Sequence, residues 1–154
     1  MTASPATPAP PAPHGSTASG PGRVLVAIYG VFALAATARA GYQLVAKFDE
    51  APLAYLLSAL AALVYVVATI ALATDRRGLA WAAVGVELVG VLAVGTLSVL
   101  DAGDLPDQTV WSVYGQGYGY VPLVLPFLGV AWLWRTRPRP AAVPGSRPTG
   151  PADQ

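Results

Sequence analysis

The sequence predicts an all-α fold: a polytopic membrane protein whose four transmembrane helices form an antiparallel bundle between disordered, proline-rich termini. The first reason is composition, because 55% of the 154 residues are hydrophobic and 11% are charged, whereas about 25% of residues are charged in a soluble domain. The second reason is a succession of four apolar stretches. The third is that basic residues collect in alternate loops, which is typical of helices threaded through a bilayer.

The two tails have the composition of unfolded chain. Residues 1–22 and residues 136–154 are rich in proline and small polar residues. Proline removes a backbone donor, and neither tail has apolar side chains to bury, so ordering them would cost entropy without compensation. We therefore expect both tails to be disordered and residues 23–135 to form one transmembrane domain.

Three apolar stretches are long enough to cross a bilayer: residues 24–45, 52–74 and 79–100. Crossing a hydrocarbon layer of about 30 Å takes about 20 helical residues. Because lipid offers the backbone no hydrogen-bond partners, each stretch should be a helix. An alternative treats residues 24–38 as part of a cleaved signal sequence, with Ala36-Thr37-Ala38 at the cleavage site.

The fourth apolar stretch, residues 120–134, is shorter and contains Pro122 and Pro126. Its length as a helix is only about 22 Å. We expect the helix to begin near residue 117 and end near 135, or the bilayer to thin around it. Pro126 should bend this helix, because it removes one backbone hydrogen bond.

Loop charges predict the orientation. One side of the membrane receives seven basic residues, namely Arg23, Arg76, Arg77, Arg135, Arg137, Arg139 and Arg147. The other side receives Lys47 and five acids, namely Asp49, Glu50, Asp101, Asp104 and Asp107. Positively charged loops stay in the cytoplasm, so both termini are predicted to be cytoplasmic. The bias towards alanine and arginine is typical of a GC-rich bacterial genome, which favours a bacterial plasma membrane.

Two charged side chains fall inside the apolar stretches, Arg39 in the first and Glu87 in the third. An intramembrane charge costs at least about 2.5–3.5 kcal/mol, so each is a candidate functional residue. Counted by helical rise, Ser58 lies at about the depth of Arg39, and Tyr65 at about the depth of Glu87. These four intramembrane polar residues form the candidate site.

The roles of the two charges stay open at this point. An ion pair between Arg39 and Glu87 would have to span about 10 Å along the membrane normal. Otherwise Arg39 extends towards the outer surface. Glu87 is then either a protonated carboxyl hydrogen-bonded to Tyr65, or a proton relay or cation site.

The outer loop, residues 101–119, combines three aspartates with a glycine- and tyrosine-rich end. Gly117-Tyr118-Gly119 matches the tripeptide of potassium-channel filters, but the threonine-valine lead and a pore helix are missing. We expect an irregular segment at the headgroup level, with its tyrosines as interfacial anchors. The aspartates are expected to be solvated, the alternative being an exposed site for a divalent cation.

Catalytic, cofactor and metal sites are not predicted. The chain has no cysteine and one histidine, which excludes thiolate ligands and argues against a histidine metal site. No Ser-His-Asp set, P-loop or zinc signature is present. The expected partners are the lipid bilayer and another membrane protein or a second copy of the chain, with no nucleic acid.

Three sequence segments carry a resemblance to a known class of protein: Ala38-Arg39-Ala40-Gly41, residues 48–53 (FDEAPL) and residues 117–126 (GYGYVPLVLP). With the order of the four helices, they resemble the small four-helix integral membrane proteins of actinobacteria, most of which are uncharacterised. The resemblance covers about residues 23–135. It implies a plasma-membrane location and a four-helix bundle, with no activity to carry over.

Short loops, one isolated acid and the lack of a cofactor motif favour a non-enzymatic role, as a structural or accessory subunit or a homo-oligomeric bundle. The competing interpretation is a small transporter or channel that uses Glu87, with Arg39 as its counter-charge. A third is a membrane enzyme with its site on the acidic outer loop.

Overall fold

The computed structural model describes residues 20–100 and 109–137, and every regular element in them is helical. The four α-helices are α1 (Pro21–Ala46), α2 (Pro52–Ala73), α3 (Arg77–Leu100) and α4 (Val121–Arg135), and a 3₁₀ helix, Ser112–Tyr118, lies between α3 and α4. Most of the two predicted disordered tails lies outside the described residues, as do the three outer-loop aspartates. The predicted all-helical class is confirmed.

Three of the helices, α1 to α3, are long and apolar enough to cross a membrane. The 3₁₀ helix and α4 meet at an angle of 101° and count together as a broken span or a re-entrant loop, which makes three or four spans in the described chain. The protein therefore has the helices of a membrane protein.

Proline sets where three of the helices begin. Pro21, Pro52 and Pro122 each lie in the first turn of their helix. Proline is tolerated there because an N–H in the first turn has no partner within the helix. Between α2 and α3 the chain turns at Asp75, whose positive φ of 55° ends the helical path.

The most extensive helix–helix contact joins α1 and α2. Both helices present buried alanines to the core, including Ala36 and Ala40 from α1 and Ala61 and Ala68 from α2. Small side chains let two helix backbones approach closely, which is how helices associate in lipid. Further contacts join α2 to α3 and α3 to α4, while α1 and α4 touch least of the helix pairs in contact.

The outward faces of the helices are apolar. Leu34 is 76% exposed, Val89 67% and Phe127 52%. A soluble monomer rarely exposes a contiguous apolar patch of more than a few hundred Å². A surface of this kind fits contact with lipid chains.

Candidate functional site

Glu87 lies on the buried face of α3 and is fully enclosed, with no exposed surface. Its neighbours on that face, Ala83, Val84 and Val91, are also buried. Ten residues separate Glu87 from the start of α3, which places it about 15 Å along the helix. Glu87 therefore lies near the middle of this 24-residue helix.

The hydroxyl of Tyr29 binds Glu87. It donates a hydrogen bond to Oε2 of Glu87 at 2.7 Å and lies 3.5 Å from the backbone carbonyl oxygen of Leu125. A Cβ at Gly129 would lie 3.0 Å from the same hydroxyl, so this glycine gives α4 room to approach. Tyr29 therefore joins α1 to both α3 and α4 at one depth.

Two more polar side chains lie beside the carboxyl group. The hydroxyl of Tyr65 is close to both Glu87 and the indole of Trp111. Within the described residues, three atoms here have no hydrogen-bond partner of standard geometry, namely Glu87 Oε1, Tyr65 Oη and Trp111 Nε1. A buried polar atom without a partner costs about 1–3 kcal/mol. We call Tyr29, Tyr65, Glu87 and Trp111 the Glu87 cluster.

Trp111 reaches the cluster because α3 carries a glycine where the indole packs. A Cβ at Gly90 would lie 2.6 Å from the Trp111 ring, and a Cβ at Gly95 would lie 2.5 Å from the ring of Tyr114. Gly90 is ten residues from the Leu100 end of α3, so the indole reaches about 15 Å below that end. Trp111 is only 1% exposed. The sequence predicts an irregular segment at the headgroup level, and the two glycines of α3 let this segment pack against the helix.

Hydrogen bonds hold residues 109–120, which we call the inserted segment, against α3. The backbone N–H of Val113 donates to Ser98 Oγ at 2.7 Å, and the hydroxyls of Tyr114 and Thr96 are hydrogen-bonded at 3.0 Å. Val113 and Tyr114 have positive φ angles of 48° and 57°. A left-handed conformation costs about 1–3 kcal/mol in a residue other than glycine. The packing of Trp111 and these bonds stabilise a strained backbone.

Arg39 and Glu87 do not pair. The guanidinium of Arg39 donates to the hydroxyl of Tyr118 at 3.0 Å. Oε2 of Glu87 accepts from Tyr29, and its Oε1 has no partner among the residues described. The two side chains are therefore bound separately, and each has a hydrogen bond with a tyrosine hydroxyl.

A chain of aromatic rings connects the two charges. The ring centroids of Tyr118 and Phe32 are 6.1 Å apart, those of Phe32 and Tyr65 5.7 Å, and those of Tyr65 and Tyr29 6.3 Å. Separations of 4.5–7 Å are typical of interacting aromatic pairs, each of which contributes about 0.5–1.5 kcal/mol beyond burial. Arg39 lies at one end of this chain and Glu87 at the other.

Ser58 lies apart from the Glu87 cluster. It is 1% exposed and its Oγ has no hydrogen-bond partner among the described residues. Seven residues of α2 separate it from Tyr65, which is about 10 Å along the helix axis. Of the four predicted site residues, the structure thus brings together Tyr65 and Glu87 and places Arg39 and Ser58 elsewhere.

The sequence argument missed Tyr29 and Trp111. Tyr29 lies eight residues from the start of α1 and Tyr65 eight from the end of α2, so the two tyrosines are at similar depth in the structure. The predicted first stretch begins at residue 24, which put Tyr29 only five residues from its end. Trp111 had no such signal, because its place depends on the path of the loop between α3 and α4.

The chemistry available in the Glu87 cluster is that of one carboxyl group surrounded by hydrogen-bond donors. The described residues contain no group of three or more His, Cys, Asp or Glu side chains that could hold a metal ion. Comparison of the chain with protein-family models, curated protein sequences and solved structures finds no match to any of them. Function must therefore be inferred from the site itself.

Proposed function

We propose that this chain is an integral protein of a bacterial plasma membrane, in which its four α-helices form an antiparallel bundle with the arginine-rich end in the cytoplasm. Its role is that of a structural or accessory subunit of a membrane assembly, or of a homo-oligomer. On the segments quoted above, we also place it with the small four-helix membrane proteins of actinobacteria. The lengths and apolar surfaces of the helices support the membrane location.

The observation that carries this role is the way in which the two intramembrane charges are used. Glu87 is fully buried and bound by Tyr29, and Arg39 is bound by Tyr118. Polar groups that hydrogen-bond across helices hold membrane bundles together. An intramembrane charge in a transport pathway would instead face a water-filled cavity. The geometry of Glu87 therefore favours helix packing.

A small transporter or channel is the second candidate. It is favoured by one observation, the three hydrogen-bonding atoms without partners that meet at mid-depth in the Glu87 cluster. A proton or a small cation that reached Oε1 of Glu87 would give that atom a partner. Transport would require the cluster to open to water on each side in turn.

Glu87→Gln separates the two candidates. Glutamine keeps the size of the side chain and still accepts a hydrogen bond from Tyr29, but it carries no charge. For a structural role we expect proton and cation flux into proteoliposomes to equal that of the unsubstituted protein. The bond from Tyr29 should weaken by about 1 kcal/mol, which lowers the melting temperature in detergent.

Glu50→Gln is the matched control, because the Glu50 side chain is 59% exposed and pairs with Lys47 at 3.0 Å. It should change neither flux nor melting temperature. A proton or cation flux that is lost in Glu87→Gln and kept in Glu50→Gln would overturn the structural role in favour of transport.

Purification after mild detergent extraction tests the accessory role directly. We expect a second membrane protein at fixed stoichiometry, or a homo-oligomer of defined size. A monodisperse monomer that leaves the membrane without any partner would contradict the proposal.

A further inference from the structure

An apolar groove lies between α1 and α4 at the end of the molecule where α1 begins and α4 ends. Val24 and Ile28 line it from α1, Leu128 and Ala131 line it from α4, and Arg135 stands at its rim. The lining residues of each helix extend over about seven positions, so the groove is about 10 Å long. It is open because α1 and α4 have the least extensive contact of the touching helix pairs.

The rim of this groove belongs to a cationic end of the molecule. The described arginines of this end are Arg23, Arg76, Arg77, Arg135 and Arg137. The one acid that the described chain places there, Asp75, lies 3.5 Å from Arg77 and offsets part of its charge. Arg137 lies over the rings of Trp81 and Trp134, at 5.6 and 5.2 Å from their centroids. Arg135 is exposed and forms no ion pair with a described residue.

We propose that this groove binds one anionic phospholipid, with an acyl chain along the groove and the phosphate at Arg135. The lining side chains are apolar up to the rim, and the rim is positively charged. The groove is therefore complementary to a lipid that has an apolar chain and an anionic headgroup. The volume of the groove is about 230 Å³. Pockets for compact small molecules are larger, at about 300–1,000 Å³. A slender chain fits such a space. Basic side chains at a membrane surface attract anionic headgroups.

Native mass spectrometry of the full chain in detergent, with phosphatidylglycerol or phosphatidylcholine added at equal concentration, tests this site. We expect a complex with one phosphatidylglycerol and much less of the phosphatidylcholine complex. Arg135→Gln should weaken phosphatidylglycerol binding about fivefold, the effect of one surface arginine on an anionic lipid. Arg76→Gln removes the same charge from the turn between α2 and α3 and should leave binding unchanged.

Filling the groove tests the place of the acyl chain. Ala131 is exposed, so Ala131→Phe should block the groove and reduce phosphatidylglycerol binding while the melting temperature is kept. Ala82, which is exposed on α3 near the same end, provides the control Ala82→Phe, for which binding should not change.

Four outcomes would overturn the site. Equal binding of the two lipids would show that the charge of the headgroup does not matter. Equal losses of binding in Arg135→Gln and Arg76→Gln would show that only the net charge of that end matters, with no specific role for Arg135. Unchanged binding in Ala131→Phe, or a dimer in which a second copy covers the groove, would show that no acyl chain lies there.

Discussion

Removing the Glu87 carboxyl group from water costs free energy, and its neighbours offset part of that cost. The hydrogen bond from Tyr29 is 2.7 Å long, and leaving a buried carboxyl oxygen without its partner would cost about 1–3 kcal/mol. The Tyr65 hydroxyl lies beside the carboxyl group, and the Trp111 indole lies beside Tyr65. The carboxyl group thus joins α3 to α1 through a hydrogen bond and lies beside Tyr65 of α2.

Tyr29→Phe tests this role at the level of a single hydroxyl. The substitution keeps the ring that packs against Tyr65 and removes the donor to Glu87. We expect the free energy of unfolding in detergent to fall by about 1–3 kcal/mol. Tyr42, which is 61% exposed, provides the control Tyr42→Phe, for which the change should be within about 0.5 kcal/mol. Equal effects of the two substitutions would contradict the account of Glu87.

The sequence was sufficient to select Glu87 and Arg39, because a charge is conspicuous in an apolar stretch. It could not assign their partners. Depth along a helix follows from counting residues, but the direction of a side chain around the helix axis depends on how the helices pack. Counting alone placed Tyr65 beside Glu87, whereas the hydrogen bond that the structure shows comes from Tyr29 on another helix.

Among the elements, the 3₁₀ segment between α3 and α4 packs against both of these helices. The Trp111 indole packs on Gly90, and the Tyr114 ring packs on Gly95. The three consecutive residues Val113, Tyr114 and Gly115 have left-handed φ angles. Gly115 is one of the three, and a Cβ there would lie 2.6 Å from Pro122 at the start of α4. The two glycines of α3 thus make room for the segment against α3, and Gly115 makes room for it against the start of α4.

Gly90→Ala and Gly85→Ala form a matched pair of tests for this contact. A Cβ at Gly90 meets the Trp111 ring at 2.6 Å, whereas a Cβ at Gly85 meets nothing within 4 Å. Overpacking costs about 1–3 kcal/mol, so Gly90→Ala should lower the stability and displace Trp111. Alanine is the better helix former by about 1 kcal/mol, so Gly85→Ala should leave stability unchanged or raised.

Melting temperature and tryptophan fluorescence in detergent measure both effects. If Gly90→Ala left both readings as they are in Gly85→Ala, the indole would not lie against α3. Sequence analysis could not predict this contact, since glycine in an apolar helix has many uses and nothing local ties Gly90 to a tryptophan 21 positions later in the chain.

For the whole molecule, the arrangement of polar and apolar side chains is that of a membrane protein. The described helices bury tyrosines and a glutamate and expose leucine, valine and phenylalanine. Composition and helix length were enough to predict this class, because both follow from the solvent around the helices. Which helices touch was not predictable, except for helices that are neighbours in sequence. The number of spans is three or four, because the short α4 counts as a span only together with the 3₁₀ helix before it.

Labelling of single cysteines tests the threading of the chain most directly, since the natural sequence has none. Asp49→Cys, Arg76→Cys and Gln116→Cys mark the three connections between successive helices, and Arg137→Cys marks the chain just after α4. We predict that a membrane-impermeant maleimide added to intact cells labels positions 49 and 116, and labels 76 and 137 only after the cells are opened. Labelling of position 137 in intact cells would show that α4 does not cross, and full-length protein recovered without detergent would contradict the membrane fold itself.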